Sequence, residues 1–378
     1  MQRGTKNNMV ETNNALWSLQ MAASALRRYA PAKSKWHYTD GLLFKAIHGL
    51  SEQTDQERYR KHVLDYLDLH VTKSGDIRTY RLDEYNLDQI NPGKLLFPAH
   101  RLTGAEKYRR ALELLRDQLR SHPRTKQGAY WHKAIYPYQT WLDGIYMALP
   151  FLAEYASSFG EDATFDDVVF QIKDIESKTR DEQTGLLFHA YDESRQQRWA
   201  EQDTGRSPNF WSRAIGWYVM AIVDVLDFLP GEQQRRDLVV ILERTLKAIS
   251  RVQDEETGLW WQVLNQGDRP GNYFEASGTA MFVYSMAKGV RLRYLDKQWL
   301  PVARRGFDGI LKHLITVNDS GLLDLHGVCA GAGLGGEPYR DGSFEYYVSE
   351  PVVNNDLHGV GAFLLAAIEI EFAKLKKN

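Results

Sequence analysis

Acidic, basic and imidazole side chains set among aromatic rings gather in four short stretches of this chain. The first is Trp36-His37-Tyr38 with Asp40, and the second holds Asp83, Glu84 and Asp88. The third runs from Tyr130-Trp131-His132-Lys133 through Tyr136-Pro137-Tyr138 to Trp141-Leu142-Asp143-Gly144. The fourth joins His189-Ala190-Tyr191-Asp192 to Trp211-Ser212-Arg213 and Trp217. Asp143 has Trp141, Leu142, Tyr146 and Met147 around it. Apolar surroundings strip solvation from a carboxylate, so its pKa is expected to rise toward that of a usable proton donor. Asp88 offers a second carboxylate, and paired carboxylates are the usual equipment of glycoside hydrolysis. Each has a plainer reading. Asp143 can be a structural acid near a helix start, and Asp88 a helix N-cap.

His132 and His189 each follow a glycine-aromatic turn. Their equivalent places argue for a shared function against the ordinary reading of a hydrogen-bonded structural histidine. Arg213 lies two residues after Trp211 and four before Trp217. An arginine among rings suits a carboxylate ligand whose sugar face stacks on the aromatics; the competing reading is an ion pair with an acidic neighbour. No metal site is expected. The chain has no HExxH pair, no helical histidine pair with a carboxylate, and one cysteine, Cys329. Gly331, Gly333 and Gly336 spell GxGxxG, but Pro338 follows and no apolar helix does. The segment reads as a flexible loop at a cleft, not a nucleotide cradle. Asp356, ahead of His358, reads as an N-cap.

The elements that must hold these residues are helical. Charged, stripe-patterned helices are expected over Glu57 to Val71, Ala105 to Ser121, Phe165 to Lys178, Gln233 to Val252 and Leu300 to Thr316, with an opening helix from Met9 to Tyr29. More apolar ones are expected over Tyr38 to Leu50, Asp88 to Leu102, Gln139 to Ala156, Trp211 to Phe228, Ser277 to Val290 and Asp356 to Leu375. Between them recur Gly75, Gly128, Gly185, Gly258 and Gly321, 53 to 73 residues apart, where helix C-caps belong. Six such pairs close into a toroid with the apolar helices inside; an open solenoid would need polar capping ends, which are not seen. The expected fold is all-α, an (α/α)6 barrel forming one domain over residues 1–378. Its chemistry-bearing loops then meet at the inner-helix N-termini, where an anionic ligand is favoured.

Composition excludes other classes. Lys+Arg is 47 and Asp+Glu 49, which argues against a nucleic-acid or anionic-membrane partner. No apolar run is long enough for a membrane helix, and Met1 to Asn14 is too polar for a signal peptide, so a cytoplasmic protein is expected. Aromatics reach 12%, with 20 Tyr and 10 Trp, and their place beside Gly, His and Asp fits a ligand-stacking cleft.

Taken together, the order and spacing of Trp36-His37-Tyr38, Arg81 to Gly93, Trp131-His132-Lys133, Trp141-Leu142-Asp143-Gly144, Phe188-His189-Ala190, Trp211-Ser212-Arg213 and Asn355 to Gly359 resemble the unsaturated rhamnogalacturonyl hydrolases of glycoside hydrolase family 105. The resemblance runs from about residue 10 to the C-terminus. It is weakest over Gly331 to Ser343, where this chain is longer than the pattern. It implies the same barrel and Asp143 as general acid/base. It places Tyr38, Asp88, His132, His189, Trp211 and Arg213 on the cleft. The implied substrate is a small oligosaccharide ending in a 4,5-unsaturated uronic acid, and no cofactor is implied. By chemistry, Arg213, His132 and Lys133 are candidates for the uronate carboxylate, His189 or Asp88 for orienting water, and Trp211, Trp217 and Tyr38 for stacking. An unsaturated glucuronyl hydrolase, a sugar epimerase on the same barrel and an inactive sugar-binding protein remain alternatives.

Overall fold

The computed structural model describes residues 16–375. The stretch Met1 to Asn14 and the start of the expected opening helix lie outside them. Thirteen α-helices occur among the described residues. Six form an inner ring: α2 (Tyr38–Thr54), α4 (Leu96–Thr103), α6 (Leu142–Phe159), α8 (Ser212–Val225), α10 (Ala276–Arg291) and α13 (Leu357–Leu375). Six lie outside: α1 (Trp17–Arg28), α3 (Glu57–His70), α5 (Glu106–Ser121), α7 (Thr164–Thr179), α9 (Glu232–Ser250) and α11 (Trp299–His313). The short α12 (Phe344–Ser349) precedes the last inner helix.

Patterning explains the layers. In α5 the buried residues Tyr108, Ala111, Leu112, Leu115 and Leu119 form one stripe, while Glu106, Arg110 and Arg120 lie exposed on the other face. In α8 every residue is buried, as an inner helix requires. The ring closes: α2 packs on the turn before α4, that turn on α6, α6 on α8, α8 on α10, α10 on α13, and α13 back on α2. Closure rules out the open solenoid. At the seam, α1 lies on α13, where the backbone N–H of Trp17 and the Ser18 hydroxyl both donate to the Glu371 carboxylate, at 2.7 and 2.6 Å.

Two expectations need correction. The helix expected from Asp88 to Leu102 is α-helical only from Leu96; before it come 3-10 turns at Leu87–Gln89 and Asn91–Leu95. Pro92 lacks the N–H that an α-helical bond needs. Gly93 also lets this turn approach α5 and α6, since a Cβ there would lie 2.4 Å from Leu115 and 3.0 Å from Phe151. The recurring glycines are not helix caps either. Each sits a few residues beyond its helix, in a tight turn where its N–H donates to the carbonyl of Thr72, Thr125, Asp181, Asp254 or Asn318. All five have φ between 72° and 104°, a region closed to most side chains. The turns reverse the chain from each outer helix toward the next inner one.

Strands are few. Among the described residues three two-stranded antiparallel ribbons occur: β1 (Gln139–Trp141) with β2 (Ala190–Asp192), β3 (Ile315–Val317) with β4 (Leu323–Leu325), and β5 (Val328–Cys329) with β6 (Val352–Val353). No helix among the described residues is long and apolar enough to cross a membrane.

Candidate active site

The ribbon β1–β2 builds the centre of the site. Its register pairs Trp141 with Ala190, and the Leu142 N–H donates to the His189 carbonyl at 3.1 Å. Asp143, second residue of α6, is thereby set against His189, and its Oδ2 lies 2.9 Å from His189 Nε2. His189 is fully buried, and its Nδ1 lies 2.7 Å from the Tyr347 hydroxyl. Burial pushes the Asp143 carboxyl up, but His189 beside it, with His132 behind, outweighs burial and holds it below the ordinary carboxylate value. The expected rise is therefore reversed. The apolar neighbours in sequence were real, but the decisive neighbour comes from another loop. With Asp143 ionised, Nε2 carries the hydrogen and donates to it; in a neutral imidazole Nδ1 then accepts from the Tyr347 hydroxyl.

Asp88 sits in the 3-10 turn ahead of α4, where its N–H is capped by the Asn86 side chain. Asp88 is thus a capped residue here, not the N-cap. Its carboxylate pairs with Lys133 Nζ at 2.6 Å and lies 3.7 Å from His132 Nε2. Burial raises its pKa, but these two neighbours bring it below the ordinary value. The lysine is thus already matched by Asp88. Burial also drives the His132 pKa down to about 4, so this ring is neutral near neutral pH. Neither is a free cation, contrary to the sequence expectation. His132 instead stacks on Trp141 with ring centroids 4.6 Å apart, and its Nδ1 has no partner.

Arg213, second residue of α8, is buried. Its Nη1 donates to the Cys329 carbonyl at 2.7 Å and to the Ser277 hydroxyl at 3.2 Å, with Glu275 farther off at 3.9 Å. Its Nε and Nη2 have no partner. The Trp211 ring lies between two groups of the site, 4.9 Å from the His189 ring and 4.9 Å from the Arg213 guanidinium. Tyr38 opens α2, and its hydroxyl lies 2.8 Å from His358 Nε2. The Asp356 carboxylate accepts the His358 N–H, as an N-cap does. Trp217 is buried one turn into α8, stacked on Tyr146 at 4.8 Å with Tyr38 edge-on. Tyr38, Asp88, Asp143, Trp211 and Arg213 thus stand at or just before inner-helix starts, and His132, Lys133 and His189 on the loops between. All face one end of the ring.

The Gly331 to Ser343 segment is a tied wall beside this end. Gly335 and Arg340 bond to each other, Arg340 Nη2 donates to the Tyr136 hydroxyl at 3.1 Å, and the Gly333 N–H donates to Tyr346 at 3.0 Å. A two-residue strand, β5, precedes Gly331, and the next helix, α12, begins only at Phe344, so the glycines do not join a strand to a helix.

The chain matches the family model described as Glycosyl Hydrolase Family 88 over residues 10–374. A solved family 105 glycoside hydrolase from C. acetobutylicum ATCC 824 has a TM-score of 0.92 at 43% identity, covering 95% of this chain and 100% of that one. This chain belongs to glycosyl hydrolase family 88/105. Among curated family relatives, Protein Atu3128 of Agrobacterium fabrum is 38% identical over 59% of this chain and 97% of its own length. The unsaturated rhamnogalacturonyl hydrolase YesR of Bacillus subtilis is 25% identical over 69% of this chain and 74% of its own.

For a family 88/105 glycosidase, the sequence reading omitted one residue of the site. Tyr347, fully buried on α12, touches the imidazole opposite Asp143. No spacing in the sequence links it to residue 189; only its place after a glycine-rich loop among aromatics set it apart.

Proposed function

We propose that the protein, acting as one catalytic domain, hydrolyses unsaturated galacturonyl-rhamnose oligosaccharides of the kind released by pectin and rhamnogalacturonan lyases. The observation that carries this reading is the free edge of Arg213. Nε and Nη2 form the side of a guanidinium that takes a carboxylate through two parallel bonds. Here that edge is buried and unpartnered, across the Trp211 ring from the Asp143–His189 pair. A uronate carboxylate supplies the missing acceptor and sets the ring's C4=C5 bond toward Asp143.

The C4=C5 bond is a vinyl ether. A proton from the Asp143–His189 pair goes to C4, and positive charge develops at C5, shared with the ring oxygen. Asp143, once ionised, takes a proton from water as the water oxygen adds to C5. The hemiketal opens to a ketone at C5, and C1, now a hemiacetal, expels the second sugar as an alcohol. In the free protein His189 holds Asp143 ionised. An anionic substrate that excludes water raises the carboxyl's proton affinity, so the proton is carried by the pair rather than by an isolated acid. Asp88, fixed by Lys133, orients water or sugar hydroxyls; Trp211, Trp217 and Tyr38 form the aromatic wall.

A panel of lyase-generated unsaturated disaccharides tests this, with loss of the conjugated-acid ultraviolet absorbance as readout. Fastest loss is expected on galacturonyl-rhamnose. Preference for a glucuronyl disaccharide would transfer the assignment to that sister activity. Interconversion of reducing sugars with absorbance unchanged in every case would favour the epimerase.

A further inference from the structure

The opposite end of the ring carries charge that this hydrolysis does not use. Lys45, Asp224 and Lys288 lie in the inner helices α2, α8 and α10. Lys45 pairs with Asp224 and donates to the Tyr146 hydroxyl at 2.9 Å. Lys288 donates to Asp224 at 2.6 Å and to Asp227 at 2.7 Å, and Arg101 donates to Glu154 at 2.9 Å. Each carboxylate here has a cation. Lys94 has no carboxylate. The residue is 8% exposed, its Nζ has no hydrogen-bond partner, and that atom rests 3.6 Å from the Tyr146 ring centroid.

A cavity of about 280 Å³ opens onto this lysine, walled by Lys45, Lys288 and Glu154. It shares His48, Pro98 and Arg101 with a second cavity that reaches Arg60 and the exposed Leu102. Together they open from the surface onto the Lys94 side chain, whose amine lies buried just behind the wall.

We propose that this cavity is a second binding site, for a small oxyanion, with Lys94 as its anchoring group and Arg101 at its mouth. Burial, reinforced by Lys45, holds the free Lys94 amine well below the ordinary lysine range, while Asp224 and Glu154 pull it the other way. Lys288 adds repulsion; His48, Arg101 and Asp227 are the other titratable groups on the wall. A bound oxyanion supplies the missing counter-charge, so binding draws a proton onto Lys94. The site is distinct from the catalytic face. Tyr146 separates them, with Lys94 against its ring and Trp217 stacked on it.

Calorimetric titration of the full chain with sodium phosphate, in two buffers of different ionisation enthalpy, tests the proposal. Saturable one-to-one binding is expected, with a dissociation constant at or below about 1 mM and net proton uptake. Lys94→Met removes a buried unpaired amine, so it is expected to fold and to melt above wild type. Its phosphate affinity should fall at least about tenfold, the loss of one charge-assisted contact. Arg213→Lys, at the catalytic face, should bind phosphate as wild type does. Absence of binding in wild type, affinity unchanged by Lys94→Met, or affinity lost in Arg213→Lys overturns the site. Should Lys94→Met fail to fold, Arg101→Ala at the exposed mouth takes its place, and unchanged affinity there overturns it equally.

Discussion

Asp143 and His189, 46 residues apart in the chain, meet at 2.9 Å because a three-residue ribbon ends on the Trp141–Ala190 pair. The ribbon fixes the residues on either side of it without flexible linkage. The carboxyl stands on the rigid first turn of an inner helix, and the imidazole is gripped from behind by Tyr347. Geometry of this kind suits proton transfer, because neither partner must reorganise to reach the other.

Asp143→Asn keeps size and shape but neither gives a carboxylic proton nor receives one. Turnover on an unsaturated disaccharide should drop at least ~10²-fold, the lower end of general acid–base contributions. Substrate affinity should survive, and stability near neutral pH should change by under ~1 kcal/mol. Steady-state kinetics with a melting curve on the same sample decides it. Near-normal turnover would move attention to Asp88.

Tyr347→Phe removes only a hydroxyl, yet leaves Nδ1 of a buried imidazole without a partner. The expected cost to stability is about 1–3 kcal/mol, that of an unsatisfied buried polar group. If Tyr347 positions His189, the pH profile of turnover should shift as well as its height. A stability loss with an unmoved profile would mark a purely structural hydroxyl.

Arg213 offers two different tests. Arg213→Ala leaves Glu275, itself buried, without its cation, and breaking a buried pair costs about 3–5 kcal/mol. That variant should lose stability and activity together. Arg213→Lys keeps the charge but loses the bidentate edge, so KM should rise by at least tenfold, on the order of 1.4 kcal/mol, with a smaller change in melting temperature. An unchanged KM would remove the uronate carboxylate from Arg213.

The charge state of Asp143 predicts a pH dependence. Its folded-state pKa lies below the ordinary 3.8, so ionised Asp143 favours the folded protein. That contribution is complete above the ordinary value and is lost as pH falls through the lower folded one. The Asp143→Asn protein lacks it. The melting temperature of wild type relative to that variant should therefore hold steady down to about pH 5 and then decline. A gap that stays constant to the point of acid unfolding would show that the carboxyl is not held down by His189.

The ring of helices was legible because burial imposes period and composition on each helix, and α5 and α8 carry those patterns openly. The cleft residues were legible because they cluster at inner-helix starts. The hairpin glycines were misplaced because a helix cap and a tight turn ask for the same positive φ. The ionisation of Asp143 was misjudged because His189 is a neighbour in space only. Tyr347 carries no local pattern. A lysine within an apolar stretch is a signal, but which carboxylates already serve its neighbours is decided by packing alone.

The seam between α1 and α13 sets an order of events during synthesis. The partners at this junction, Trp17 and Ser18 with Glu371, stand more than 350 residues apart. On a ribosome the first outer helix emerges long before the strut it must lean on exists. Until then its apolar face and one side of α2 stay exposed. A nascent chain that has not yet made α13 is thus an unfinished arc, and it becomes a ring only when that helix follows.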